Sequence, residues 1–166
     1  MPQPNSVNFR LVDSLIQAEQ FEEADMEADK LLELNSNNSL INFYKGSIAY
    51  KQEDFEQALF YSEKAIQNGL NTASVRMIAG VSAFQIKSLE QAYKHLIYLS
   101  QSQNIQNDDV SRLLARIQLN LGYNLEASNS LQSLQQMSES DADLFSLTGA
   151  NLAMKGDFGN ASKLLN

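Results

Sequence analysis

The sequence predicts an all-α fold, a solenoid of antiparallel helix pairs, and three observations carry that prediction. The chain has only two prolines, both within the first four residues, and seven glycines in 166 residues, so helix breakers are nearly absent. Alanines recur at 24, 58, 92, 127 and 161, with separations of 34, 34, 35 and 34 residues. Around each alanine the local strings EQFEEADMEA, QEDFEQALFY, IKSLEQAYKH, GYNLEASNSL and KGDFGNASKL share one template. A fixed period of this length marks a repeat array in which each unit buries its apolar face against its neighbours.

The template also says how each unit packs. Twelve residues before the alanines stand Val12, Gly46, Gly80, Ala115 and Gly149, and three residues before them stand Phe21, Phe55, Leu89, Asn124 and Phe158. Small residues on both helices of a hairpin let them approach closely, and the bulky residue fills the space beside them. Asn124 breaks the bulky column, and Leu125 is expected to supply the missing apolar group.

Taken in order, the elements are helix pairs at about 5–18 and 21–34, 39–52 and 54–68, 73–86 and 89–102, 108–121 and 124–136, and 142–154 and 158–166. Asp54 with Gln57 and Ser88 with Gln91 have capping-box spacing, Asp157 precedes the last helix, and Gly69 suits the position after a helix end. The stretch NSNN at 35–38 reads as a turn. The one extra residue of the third interval is expected in the polar segment 100–109, because loops absorb insertions. One array over 1–166 follows, with repeats at about 5–38, 39–72, 73–107, 108–141 and 142–166. The last is cut short, which predicts a fragment of a longer protein whose unfinished hairpin self-associates through Leu164 and Leu165.

Composition narrows function. Hydrophobic residues are 43% and charged residues 19%, enough apolar content for a core. The net charge of −8 argues against nucleic acid as a partner, since phosphate binding needs clustered Lys and Arg. With no cysteine, disulfides, thiolate metal sites and cysteine nucleophiles are excluded. No apolar run approaches the roughly 20 residues of a membrane span, and MPQPNSVNFR has no signal-peptide core.

The residues also resemble a known family. Small–Tyr/Phe–Ala elements at 34-residue spacing are similar to the tetratricopeptide repeat (TPR) over essentially the whole chain. FYKGSIAYKQEDFEQAL, SRLLARIQLNLGYNLEA and LFSLTGANLAMKGDFGNA look like segments of the TPR-repeat lipoprotein of the PEP-CTERM/exosortase system. The resemblance implies a TPR-type α–α superhelix, right-handed, and a bacterial exported lipoprotein linked to exopolysaccharide production and envelope protein sorting. Periplasmic or outer-membrane association follows from it, with a cytoplasmic chain as the alternative. The proline usual near each repeat end is missing, with Leu70 in its place.

In that family the first helices of successive hairpins line a concave groove. Carried over residue by residue, the groove would hold Phe9, then Phe43 and Tyr50, then Met77 and Phe84, with Arg112 and Arg116 at one end. Aromatics and Met anchor interfaces, and two arginines one turn apart suit a carboxylate of a protein or peptide partner. The ordinary alternative is that an aromatic stripe at helical spacing is core, and that Arg112 pairs with Asp108 four residues earlier. The carboxylate-clamp set is absent apart from Lys51, so tight binding of an acidic C-terminal tail is not expected.

No chemistry competes with binding. The single histidine, His95, lacks ligand partners at helical spacing and is expected on the helix surface, partly exposed. The acidic residues of repeat one, with Lys30 among them, read as a solvated face rather than a glycosidase pair. No cofactor, metal or catalytic residue is expected. A protein-binding scaffold is the leading reading, a structural spacer the second, and a carbohydrate-active enzyme the third.

Overall fold

The computed structural model describes residues 4–101 and 107–165. It divides into two compact units, the first running to Ser88 and the second starting at Leu89. The first holds α1 (Pro4–Gln17), α2 (Phe21–Leu34), α3 (Ser39–Lys51), α4 (Phe55–Gln67) and α5 (Ala73–Gln85). The second holds α6 (Leu89–Gln101), α7 (Asp108–Asn120), α8 (Asn124–Gln132), a 3₁₀ turn (Glu139–Asp141), α9 (Ala142–Met154) and α10 (Phe158–Leu165). No strand occurs among the described residues.

Local chemistry explains the helix starts. The Asn38 side chain accepts from the backbone N–H groups of Leu40 and Ile41, and Asp54 from that of Gln57. Thr72 accepts from Val75, Asn107 from Asp109 and Val110, and Asp157 from Asn160. Each satisfies donors that the first helical turn leaves open.

The helix ends are more uniform. The residues after the first helices, Glu19, Glu53, Lys87, Gly122 and Gly156, all have positive φ, between 58° and 82°. They follow the same 34, 34, 35, 34 spacing as the alanines. At each, the N–H of the next residue reaches a carbonyl five residues back, as in Asp54 to Ala49 at 2.9 Å and Tyr123 to Gln118 at 2.8 Å. These are Schellman closures, and the residue that completes each one also precedes the next helix. Gly69, with φ of 98°, closes α4 in the same way, so Leu70 takes the place of proline without loss of the turn. The extra residue of the third interval was expected in a segment that falls largely on 102–106, outside the described residues.

Within the first unit, Val12, Ala24 and Ala58 are wholly buried. A Cβ on Gly46 would lie 2.8 Å from the Ser62 hydroxyl and 3.2–3.3 Å from backbone atoms of Ser62 and Ala58, so α3 and α4 touch where only glycine fits. Val12, Ala28, Leu31 and Ile41 form a core joining α1, α2 and α3. In the second unit Ala115, Leu131, Leu152, Ala161 and Leu164 form the corresponding core.

Three expectations need correction in the second unit. The helix expected to reach residue 136 ends at Gln132. The Asp108 carboxylate captures the backbone N–H groups of Gln135 and Gln136, at 3.0 and 2.9 Å, and this pulls the chain out of the helix. Leu125 does not replace the missing bulky residue. It is exposed, whereas Asn124 itself is buried and its side-chain carbonyl accepts from Asn151 at 3.4 Å. Leu164, expected at the exposed end, is buried in the core, and only Leu165 is exposed.

Candidate functional site

On α3 the buried residues are Ile41, Asn42, Lys45, Gly46, Ile48 and Ala49, and Phe43, Ser47 and Tyr50 form a half-buried stripe beside them. On α5 the equivalent positions, one repeat on, are Met77, Val81 and Phe84, again half-buried. Helical periodicity therefore brings the predicted residues onto one face of each helix, and α3 and α5 are in contact. The rings are held in place. Phe43 lies 6.1 Å from Tyr44, and Tyr50 meets Phe55 edge-on at the same distance. Burial, and then the charge of nearby Asp13, raise the pKa of the Tyr44 phenol. Phe9 on α1 is also half-buried, but it packs with Ile16 against the core of α1, α2 and α3. Its first role is structural.

In the second unit, Arg112 on α7 is engaged from within. Its guanidinium donates to both carboxylate oxygens of Asp141, at 2.8 and 3.1 Å, to the Gln136 carbonyl at 2.7 Å, and to Asp109 at 3.3 Å. Asp141 is buried, and the Arg112 hydrogen bonds hold its carboxyl at a pKa of about 2. Asp108 is lowered too, by the backbone donors of Gln135 and Gln136. The partner of Arg112 is thus Asp141, reached across 29 residues, and not Asp108. Arg116, one turn on, is exposed.

Sequence reasoning missed Lys45. This lysine is buried, bonds Asp25 and Asp29 of α2 at 2.7 Å each, and sits 5.4 Å from the centre of the Tyr61 ring. Burial pushes its ammonium down, but the two carboxylates outweigh that and leave the pKa raised. The signal was present in the repeat itself, because the column Leu11, Lys45, Ala79, Leu114, Thr148 contains one charged residue. Two members of the acidic face of repeat one are therefore partners of a buried cation.

His95 corrects another expectation, since it is buried rather than partly exposed. The buried stripe of α6 is Ala92, His95, Leu96 and Leu99, spaced as one helical face, and His95 falls on it. No group of three or more His, Cys, Asp or Glu able to hold a metal occurs among the described residues. No described helix is long and apolar enough to cross a membrane.

No protein-family model matches the sequence, and no curated protein matches it. Solved structures do match. The chain is similar to YrrB, described as a TPR protein with an unusual peptide-binding site, at 20% identity, covering 95% of this chain and 81% of that one, with a TM-score of 0.79. It is similar to MamA at 17% identity, covering 99% and 90%, with a TM-score of 0.75. A second MamA structure matches at 18% identity over 92% and 89%, with a TM-score of 0.69. At these identities the likeness speaks for the fold: the chain is built of antiparallel helix pairs in the manner of tetratricopeptide-repeat proteins.

Proposed function

We propose that this chain is a non-enzymatic scaffold that binds a protein or peptide on the first helices of its hairpins, with Phe43, Tyr50, Met77 and Phe84 as apolar anchors. The observation that carries this reading is the stripe repeated one repeat apart on α3 and α5. Its residues are neither core nor solvent, and they are types that anchor interfaces. The peptide-binding site in the YrrB description supports the same use of the fold. In the second unit, taken by itself, Arg116 is exposed while Arg112 is held by Asp141.

Peptides selected from a displayed random library against the wild-type chain test it. Substituting Tyr50 and Met77 together by Ser should weaken the selected peptides at least roughly tenfold, as loss of a central anchor does, with unchanged helical circular dichroism. Equal affinity for the double variant would remove the face from consideration.

Two finer elements belong to the same proposal. On the sequence segments alone, we place the chain in an exported lipoprotein of the exopolysaccharide and envelope-sorting type. A lipoprotein signal ahead of these residues in the full gene product supports that placement, and a gene product without one removes it. We also propose that chains associate through the last hairpin, by way of Leu165.

A further inference from the structure

Between α6 and α8, over α7, the second unit has an open crevice of about 370 Å³. The first unit shows the same place in the fold when it is filled. Two repeats earlier, 68 residues back from α6 and 69 back from α7 and α8, stand Asp25, Asp29, Lys45 and Tyr61, where the second unit has Tyr93, Ile97, Leu114 and Ser130. Lys45 spans the first crevice, bonding Asp25 and Asp29 of α2 on one wall and lying over the Tyr61 ring of α4 on the other. Leu114 is shorter and has no ammonium, and Ser130 has no ring, so the second crevice keeps its space.

The groups lining it are arranged to meet hydroxyls. Tyr93, Ile97 and Leu114 supply an apolar surface. Beside it, Ser133 donates to the Ser130 carbonyl at 2.7 Å, so in the 3.1 Å contact between the Ser111 and Ser133 hydroxyls the donor is Ser111. Ser130 donates to the side-chain carbonyl of Gln118 at 2.8 Å. A hydroxyl has one proton and two lone pairs, so the Ser111 and Ser130 oxygens remain able to accept. Gln118 is 2% exposed, and its amide N–H groups have no partner among the described residues. A buried amide that lines a crevice with its donors unused points to an acceptor on a ligand. The ligand group that can accept from Gln118 and also donate to Ser111 or Ser130 is a hydroxyl. Charge narrows the class further. Among the described residues no Lys or Arg lines the crevice, while Glu126 does, so an anion would meet a like charge and no counter-cation.

We propose that this crevice binds a neutral, polyhydroxylated small molecule of mono- to disaccharide size, with a C–H face against Tyr93 and hydroxyls on Gln118, Ser111 and Ser130. Its volume lies near the lower end of the range for small-molecule clefts. The proposal is independent of the peptide reading of the α3 and α5 stripe, since it uses other residues and another class of ligand.

Saturation-transfer NMR on the chain, with glucose, galactose, N-acetylglucosamine, cellobiose and chitobiose at millimolar concentration, tests it. Two variants take residues that the first unit already carries at the same repeat positions: Ser130→Tyr copies Tyr61, and Gln118→Ala copies Ala49. Wild type should transfer to at least one of these sugars. Ser130→Tyr fills the space and should abolish the transfer. Gln118→Ala should weaken binding roughly tenfold, the worth of one or two hydrogen bonds. Ser111→Ala, the smallest change, should weaken it in the same direction, and circular dichroism checks the fold of all three. Glucuronate should bind more weakly than the best neutral sugar. No transfer to any of the sugars overturns the proposal. So does transfer that the folded variants leave unchanged, or glucuronate binding as tightly as the best neutral sugar.

Discussion

At the scale of single residues, the hairpin turns separate a requirement of the backbone from a preference of the sequence. Glu19, Glu53 and Lys87 occupy a left-handed conformation that Gly122 and Gly156 occupy at the same repeat position. A residue with a Cβ is disfavoured there by about 1–2 kcal/mol, partly offset by the greater freedom glycine has when unfolded. Glu53→Gly should therefore raise stability, by up to about 1 kcal/mol, read as a higher urea midpoint with unchanged slope. The Arg112–Asp141 pair gives a second prediction at this scale. The Asp141 pKa falls from 3.8 to about 2 on folding, so its contribution is fully present above the unfolded value and is lost as pH falls through the folded one. Urea unfolding of the wild type should weaken between pH 3.8 and about 2. Asp141→Asn should start lower and change less across that window. Arg112→Ala should lower the urea midpoint at neutral pH, because it leaves the buried Asp141 carboxylate without its cation.

At the scale of elements, close approach of helices decides which substitutions are tolerated. Gly46 faces the backbone and short side chain of α4, which have little room to move, while a Cβ on Gly149 would meet the flexible end of Leu165. Gly46→Ala should destabilise by about 1–3 kcal/mol through overpacking, and Gly149→Ala by clearly less. Thermal melts of the two variants that rank them the other way would contradict this account of hairpin packing. The helices themselves were largely legible, because propensity, caps and period agree along the chain. The exception is α8. Its last expected turn is undone by Asp108, a residue 27 positions earlier, and no local pattern in GYNLEASNSLQSLQQ announces that competition.

At the scale of the molecule, the main packing contacts join helices one or two places apart in order. An array of this kind is stabilised by its units and their nearest neighbours, so damage stays local. Gly46→Val should lower amide hydrogen-exchange protection in α3 and α4 far more than in α9 and α10. Uniform loss along the chain would show a cooperativity that the contact pattern does not support. The candidate site follows the same logic. The stripe of Phe43, Tyr50, Met77 and Phe84 in the first unit was readable from helical spacing, whereas the partners that hold Arg112 in the second unit were not.

The sequence by itself determined the helices, their period and the small residues between them, because each is set by interactions within a few residues or by a motif that recurs every 34 or 35. Tertiary structure alone decided the pairings between elements distant in sequence: Lys45 with Asp25 and Asp29, Arg112 with Asp141, and Asp108 with the chain after α8. A carboxylate looks the same in sequence whether solvent or a buried cation faces it. Which one does depends on where neighbouring helices set it down.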